Sequence, residues 1–144
     1  MHIQGTPETM QKNPEYADVV KEVGQFFRER IARLEAAGFR QIILDPGFGF
    51  GKTLQHNYEL LDGMETYKSF GYPLLVGISR KSMIYKLLGG TPADALNGTT
   101  VLNTISLLKG ADILRVHDVK EAVETVKIVG AMRESSGKRE KAVL

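Results

Sequence analysis

Asp45-Pro46-Gly47-Phe48-Gly49-Phe50-Gly51-Lys52 follows directly on the apolar run Ile42-Ile43-Leu44, and its reading decides the fold. A short β-branched run of this kind reads as a strand, here ending in a carboxylate and turning through glycines at alternate positions. Glycine loses more backbone freedom on folding than any other residue. Three of them in five positions therefore point to positive φ angles or to close approach of a ligand. Asp45 at the strand mouth offers a charged pair of acceptors, and Phe48 and Phe50 offer flat apolar walls to something planar. The plainer alternative is a tight strand-to-helix turn in which Asp45 serves only as a cap, since Gly-rich turns are common.

Two nucleotide-binding readings fail on spacing. A phosphate-cradling loop needs a glycine five residues before the Gly-Lys-Thr end of its motif. Gly51-Lys52-Thr53 is present, but that position holds Pro46 and Gly47 comes one residue late. The dinucleotide fingerprint needs a third glycine where Lys52 or Leu54 stands.

The 144 residues, 42% of them hydrophobic, amount to one domain with enough apolar content for a core. A formal net charge of +2 is too mild to argue for a nucleic-acid partner. No stretch approaches the roughly 18 apolar residues of a membrane span, so no membrane partner is expected. With no cysteine, disulfide and thiolate chemistry are excluded, which fits a cytoplasmic protein. His2, His56 and His117 are scattered and make no metal-binding spacing. Residues 135–144 read as a polar, basic tail beyond a domain of residues 1–134.

A pattern recurs about every 35 residues. Apolar runs at Gln41–Leu44, Pro73–Val76 and Ala111–Leu114 end in Asp45, in Ser79-Arg80-Lys81, and in Arg115 and His117. Helical patterns lie between and after them. The first is capped by Asn13-Pro14, carries Val19, Val23, Phe27, Ile31 and Leu34, and stops at Gly38. The second runs through Leu60, Leu61, Met64 and Tyr67 to Gly71. A third opens at Thr91-Pro92 and carries Leu102, Ile105 and Leu108; a fourth opens at Asp118 with Glu121 and carries Val123, Val126 and Val129. This is the βα rhythm of a parallel sheet, whose ligand sites lie at the C-terminal strand ends. Three successive strands ending in polar groups favour a (β/α)8 barrel over a flavodoxin-like sheet. The chain holds only about half of a ~250-residue barrel, roughly strands 5–8 with their helices. Met1-His2-Ile3-Gln4-Gly5 reads as though cut at the end of a strand.

Arg115-Val116-His117-Asp118 places Arg115 and His117 on the same side of a strand end, where together they could hold an anion. Asp118 fits a helix cap better than a catalyst. Ser79-Arg80-Lys81-Ser82 supplies two cations just after Gly77, which permits close backbone approach. Together these segments, with Met1–Gly5 and Leu44–Lys52, resemble the dihydropteroate synthases of the pterin-binding barrel family, in order and in spacing, up to the tail. The resemblance is to the C-terminal half of that barrel.

The resemblance implies a folate-pathway transferase that condenses p-aminobenzoate with a dihydropterin methyl diphosphate, releases diphosphate and uses Mg²⁺. It assigns catalytic positions to Lys81, Arg115 and His117. Asp45 would accept from the amino-pyrimidine edge of the pterin and Lys81 would donate to its carbonyl and ring nitrogen. Arg115 would stack on the pterin and touch the diphosphate, which His117 also binds; Gly77 and Phe50 complete the pterin site. Phe50, Ser79 and Arg80 would face p-aminobenzoate, and sulfonamides would compete there. The family's metal ligand lies in the other half of the barrel, so no metal ligand is assigned in this chain. A homodimer or higher self-association and little activity of this chain alone are expected. Alternatives are a pterin-binding methyltransferase-like domain, or a non-catalytic, self-associating fragment.

Overall fold

Helix α1 (Val19–Ala36) buries Val19, Val23, Phe27 and Ile31, one residue per turn along a single face. It starts at Asp18, whose carboxylate accepts the Lys21 N–H at 3.0 Å, while Glu22 accepts from the N–H groups of Ala17 and Asp18. The start expected at Asn13-Pro14 is thus displaced by a turn and a half. Asn13 has φ of 49°, a left-handed conformation that cannot open a right-handed helix. The stop at Gly38 stands, with φ of 90° and its N–H on the Glu35 carbonyl.

The computed structural model describes residues 1–141 except Pro7 and Gln11. Helix α2 (Leu54–Gly63) opens with a reciprocal box in which Thr53 and His56 each accept the other's backbone N–H. It tightens into a 3₁₀ helix over Met64–Phe70, ended by Gly71. Strand β1 (Leu75–Val76), α3 (Ser82–Leu88), a 3₁₀ turn at Pro92–Ala95, α4 (Leu96–Leu108), β2 (Ile113–Leu114) and α5 (Val119–Lys141) follow. The tail boundary expected at residue 135 falls inside α5, and residues 142–144 lie outside the described residues.

β1 and β2 pair in parallel, Leu75 against Ile113 and Val76 against Leu114. Leu44 bridges to Leu74 in the same sense, and the His2 N–H donates to the Asp45 carbonyl at 2.9 Å. Three parallel segments therefore lie side by side in chain order with the opening residues beside the first, each joined to the next through helix. Regular pairing is shorter than the four-residue runs suggested, with two residue pairs between β1 and β2 and a single bridge at Leu44.

Leu44, Leu74, Val76 and Ile78 enter one core with Phe27, Leu60, Met64, Tyr67, Met83 and Leu102 from the helices. The opposite strand face is less covered: Ile43 is 53% exposed, and Leu75 and Ile113 are half-buried. On α5 the inward stripe is Ala122, Thr125 and Val129, whereas Val123 and Val126, expected inside, are 46% and 49% exposed. They line a groove with Leu114, Val116 and Val119 instead.

The placement of the first cap is testable. Asp18→Ala should lower the urea midpoint of unfolding through loss of the Lys21 and local N–H contacts. Asn13→Gly, which suits a positive φ, should leave that midpoint unchanged or slightly higher.

Candidate functional site

Gly47, Gly49 and Gly51 all have positive φ, at 70°, 80° and 65°. Close approach is also present, but the approaching group is the chain itself. A β-carbon on Gly47 would lie 1.9 Å from the His2 carbonyl oxygen, and one on Gly51 would lie 2.4 Å from that of Gln4. The turn is therefore built onto the opening segment of the chain. Asp45 Oδ1 accepts the Gly47 N–H at 2.8 Å and starts the turn. Phe48 is fully buried in the core, so it offers no wall to a ligand; Phe50, half-buried, is the aromatic left at the surface.

Two residues that motif reading missed complete the turn. Asn57, buried in α2, accepts the Gly49 N–H at 2.7 Å, and the Tyr16 hydroxyl donates to the Gly51 carbonyl at 2.8 Å. Asparagine is a poor helix-interior residue, and that mismatch was the available signal for Asn57.

Three candidate groups converge around the turn. The Arg115 guanidinium reaches across two strand ends to within 3.3 Å of Asp45 Oδ2. It lies against Gly77, where a β-carbon would come within 2.7 Å of it. Glycine there makes room for the guanidinium. Lys81 donates to the Phe48 carbonyl and holds its Nζ 4.6 Å from the centroid of the Phe50 ring. Burial, and then the positive charge of Arg115, bring Lys81 down to about 8, against the opposing pull of Asp45. One carboxylate thus faces two cations beside a flat ring. Such a group can read the hydrogen-bonding edge of a planar heterocycle and leaves positive charge over for an anion.

Ser79 and Arg80 each hold a partner on the next loop. Ser79 is buried; its Oγ accepts the His117 N–H at 3.1 Å and lies 3.0 Å from His117 Nδ1. Arg80, with φ of 52°, forks onto both oxygens of Asp118 at 2.8 and 2.9 Å. It also donates to the carbonyls of Pro92 and Ala93 at 2.8 and 3.1 Å. The left-handed backbone at Arg80 sends its side chain to Asp118 while the next residue, Lys81, turns to the Phe48 loop. Consecutive residues of one loop so hold consecutive residues of the next, and Asp118 serves as an ion-pair partner. Arg115 and His117 go to different anchors, the first to Asp45 and Gly77, the second to Ser79.

Among the described residues no group of three or more His, Cys, Asp or Glu side chains could hold a metal ion. A cavity of about 670 Å³ lies elsewhere, between α1 and the 3₁₀ helix at 64–70, and includes none of these residues. No helix among the described residues is long and apolar enough to cross a membrane.

The double clasp predicts a graded response. Arg80→Met should accelerate amide exchange at Val116–Val119 by at least about tenfold, since hydrogen bonds to charged groups are the stronger class. Arg80→Lys should recover only part of that protection, because an ammonium cannot fork onto both carboxylate oxygens. Hydrogen exchange read residue by residue checks both.

The profile of the family described as Pterin binding enzyme matches residues 1–117. The dihydropteroate synthase of Escherichia coli K12 is 52% identical over 133 residues, which is 91% of this chain and 47% of that protein. The Yersinia pestis dihydropteroate synthase, solved as a complex with a sulfonamide drug, superposes with a TM-score of 0.90 at 46% identity. That match covers 93% of this chain and 50% of the other. The Thermus thermophilus synthase in complex with 4-aminobenzoate gives a TM-score of 0.84 at 40% identity, over 89% of this chain and 53% of that one. The chain spans about half the length of the curated relatives it matches. Its parallel βα segments make up a partial (β/α)8 barrel, about half of the solved synthases' length, and the chain belongs to the pterin-binding enzyme family.

Proposed function

We propose that this chain forms one wall of a dihydropteroate synthase site, in which p-aminobenzoate is joined to a dihydropterin methyl diphosphate. The observation that carries the reading is the convergence of Asp45, Lys81 and Arg115 beside Phe50. In this role Asp45 accepts from the amino-pyrimidine edge of the pterin, which presents only donors there. Lys81 donates to the pterin carbonyl and ring nitrogen. Arg115 covers the ring and, with His117, meets the diphosphate. Phe50 beside Lys81 is the apolar surface for p-aminobenzoate, and sulfonamides compete at that surface. Ser79, which holds His117, and Arg80, which holds Asp118, stand at the p-aminobenzoate end.

The reaction assigned to this site breaks the C–O bond to diphosphate, which leaves with the electron pair. The neutral arylamine then attacks the methylene carbon, forms the C–N bond and loses one proton. Positioning and stabilisation of separating charge are the protein's contribution. Arg115 and His117 face the departing negative charge. Mg²⁺ belongs to the family reading, whose metal ligand lies in the other half of the barrel. Absence of cysteine fits a cytoplasmic setting.

Calorimetry with 6-hydroxymethylpterin tests the reading on the chain as it stands. Asp45→Asn turns one acceptor into a donor facing pterin donors. It should weaken binding by about 10- to 100-fold, the worth of a hydrogen bond to a charged group. Affinity should also fall as pH rises through about 8, where Lys81 loses the proton it donates. An affinity indifferent to both would overturn the assignment.

Val119, Val123 and Val126 on α5 and Ile43 on the less covered strand face leave apolar surface exposed. We assign these faces to contact between copies of the chain. Sedimentation at micromolar concentration should give a dimer or larger species without steady diphosphate release. A monomer, or steady turnover, contradicts the respective half of that statement.

A further inference from the structure

Lys52 lies beneath the glycine turn and is 4% exposed. Its Nζ is 3.0 Å from His2 Nδ1, 2.9 Å from the Gly47 carbonyl oxygen and 3.1 Å from that of Phe50. An ammonium has three N–H donors and no acceptor, and here it meets three acceptors. They come from three places: the opening segment, the first residue of the turn and its far side. The Phe50 N–H returns to the same Gly47 carbonyl at 3.1 Å, so the turn closes over the ammonium.

The surroundings favour this use of the lysine. His2 is buried edge-on against Phe26, and burial, then Lys52 itself, lower its pKa to about 4. Its ring is therefore neutral and carries a lone pair on one nitrogen. The Tyr16 ring stands 6.0 Å from the ammonium, and Asp45 and Lys81 are the charged groups that act on it with opposite signs. The three acceptors are an imidazole and two carbonyls, none of them a carboxylate. Burying a lysine is costly, and an apolar side chain of similar length would fill the space at less cost. A tripod of hydrogen bonds is what an apolar residue could not supply.

We propose that Lys52 is the positioning residue of the candidate site: its ammonium ties the Gly47–Gly51 turn to the opening segment, and so fixes Phe50 and the Phe48 carbonyl that receives Lys81. Its part in ligand binding rests on the function proposed above; the tie itself does not. Lys52 touches no substrate in this scheme. It acts through the turn.

Burial and Lys81 bring Lys52 down to about 7, so the test is run at roughly pH 6, where the ammonium is kept. Lys52→Met removes all three donors. His2→Ala removes one acceptor, and His2→Asn replaces it with an amide oxygen. In Lys52→Met, amide exchange at Gly49–Gly51 should rise by at least about tenfold while α4 is unchanged, and the His2 Nδ1 resonance should move to that of an unbonded ring nitrogen. His2→Ala should give part of the same loosening, and His2→Asn should reverse it. Affinity for 6-hydroxymethylpterin should fall by about tenfold or more in Lys52→Met.

Unchanged exchange in the turn, or an unmoved His2 nitrogen, overturns the proposal. If Lys52→Met speeds exchange throughout the chain, the His2 pair decides, and equal turn rates in His2→Ala and His2→Asn overturn it. A loosened turn with unaltered pterin affinity overturns the link to the site. If the unmodified chain binds no pterin, the proposed function fails, while exchange and the His2 signal still judge the tie.

Discussion

The carbonyl oxygen of His2 occupies the space that a β-carbon on residue 47 would need, 1.9 Å away. That contact requires glycine at 47, with its positive φ, and it sets the Phe48-Gly-Phe turn hard against the first residues of the chain. From there the dependence runs outward. The turn fixes where Asp45 opens, the Phe48 carbonyl receives Lys81, and Asp45 receives Arg115. Three parallel segments are so linked at their C-terminal ends by side chains as well as by the sheet.

Electrostatically the site is unbalanced toward positive charge. Asp45 is buried between a backbone donor and a guanidinium, while Lys81 and Lys52 lie nearby with lowered pKa values caused first by burial. Excess positive charge in a partly desolvated place favours ligands that bring negative charge or acceptor edges. The dihydropterin diphosphate of the proposed reaction carries both.

A division of labour within single motifs is the less obvious lesson. In Ser79-Arg80-Lys81, the first two residues clasp the next loop and the third turns to the Phe48-Gly-Phe50 turn. In Phe48-Gly-Phe50, one ring is core and the other is surface. The left-handed backbone at Arg80 and the positive φ of Gly49 are the local causes, since each reverses the direction in which successive side chains leave the chain.

The βα rhythm, the parallel order, the half-barrel class and the cluster of Asp45, Lys81 and Arg115 at strand ends were legible in the sequence. Apolar periodicity and glycine spacing are local properties, and strand ends follow from them. Helix starts were less legible: Asp18 and Asn13 are both competent caps on paper, and only Asn13's left-handed backbone disqualifies it. The partners of Ser79, Arg80 and Lys52 could not be read at all, because they lie 38, 38 and up to 50 residues away. A hydroxyl, a guanidinium and an ammonium suit a substrate as well as they suit a neighbouring loop. Residue type fixes what such a group can bond; only the tertiary structure, by bringing His117, Asp118 and His2 within about 3 Å, decides what it does bond.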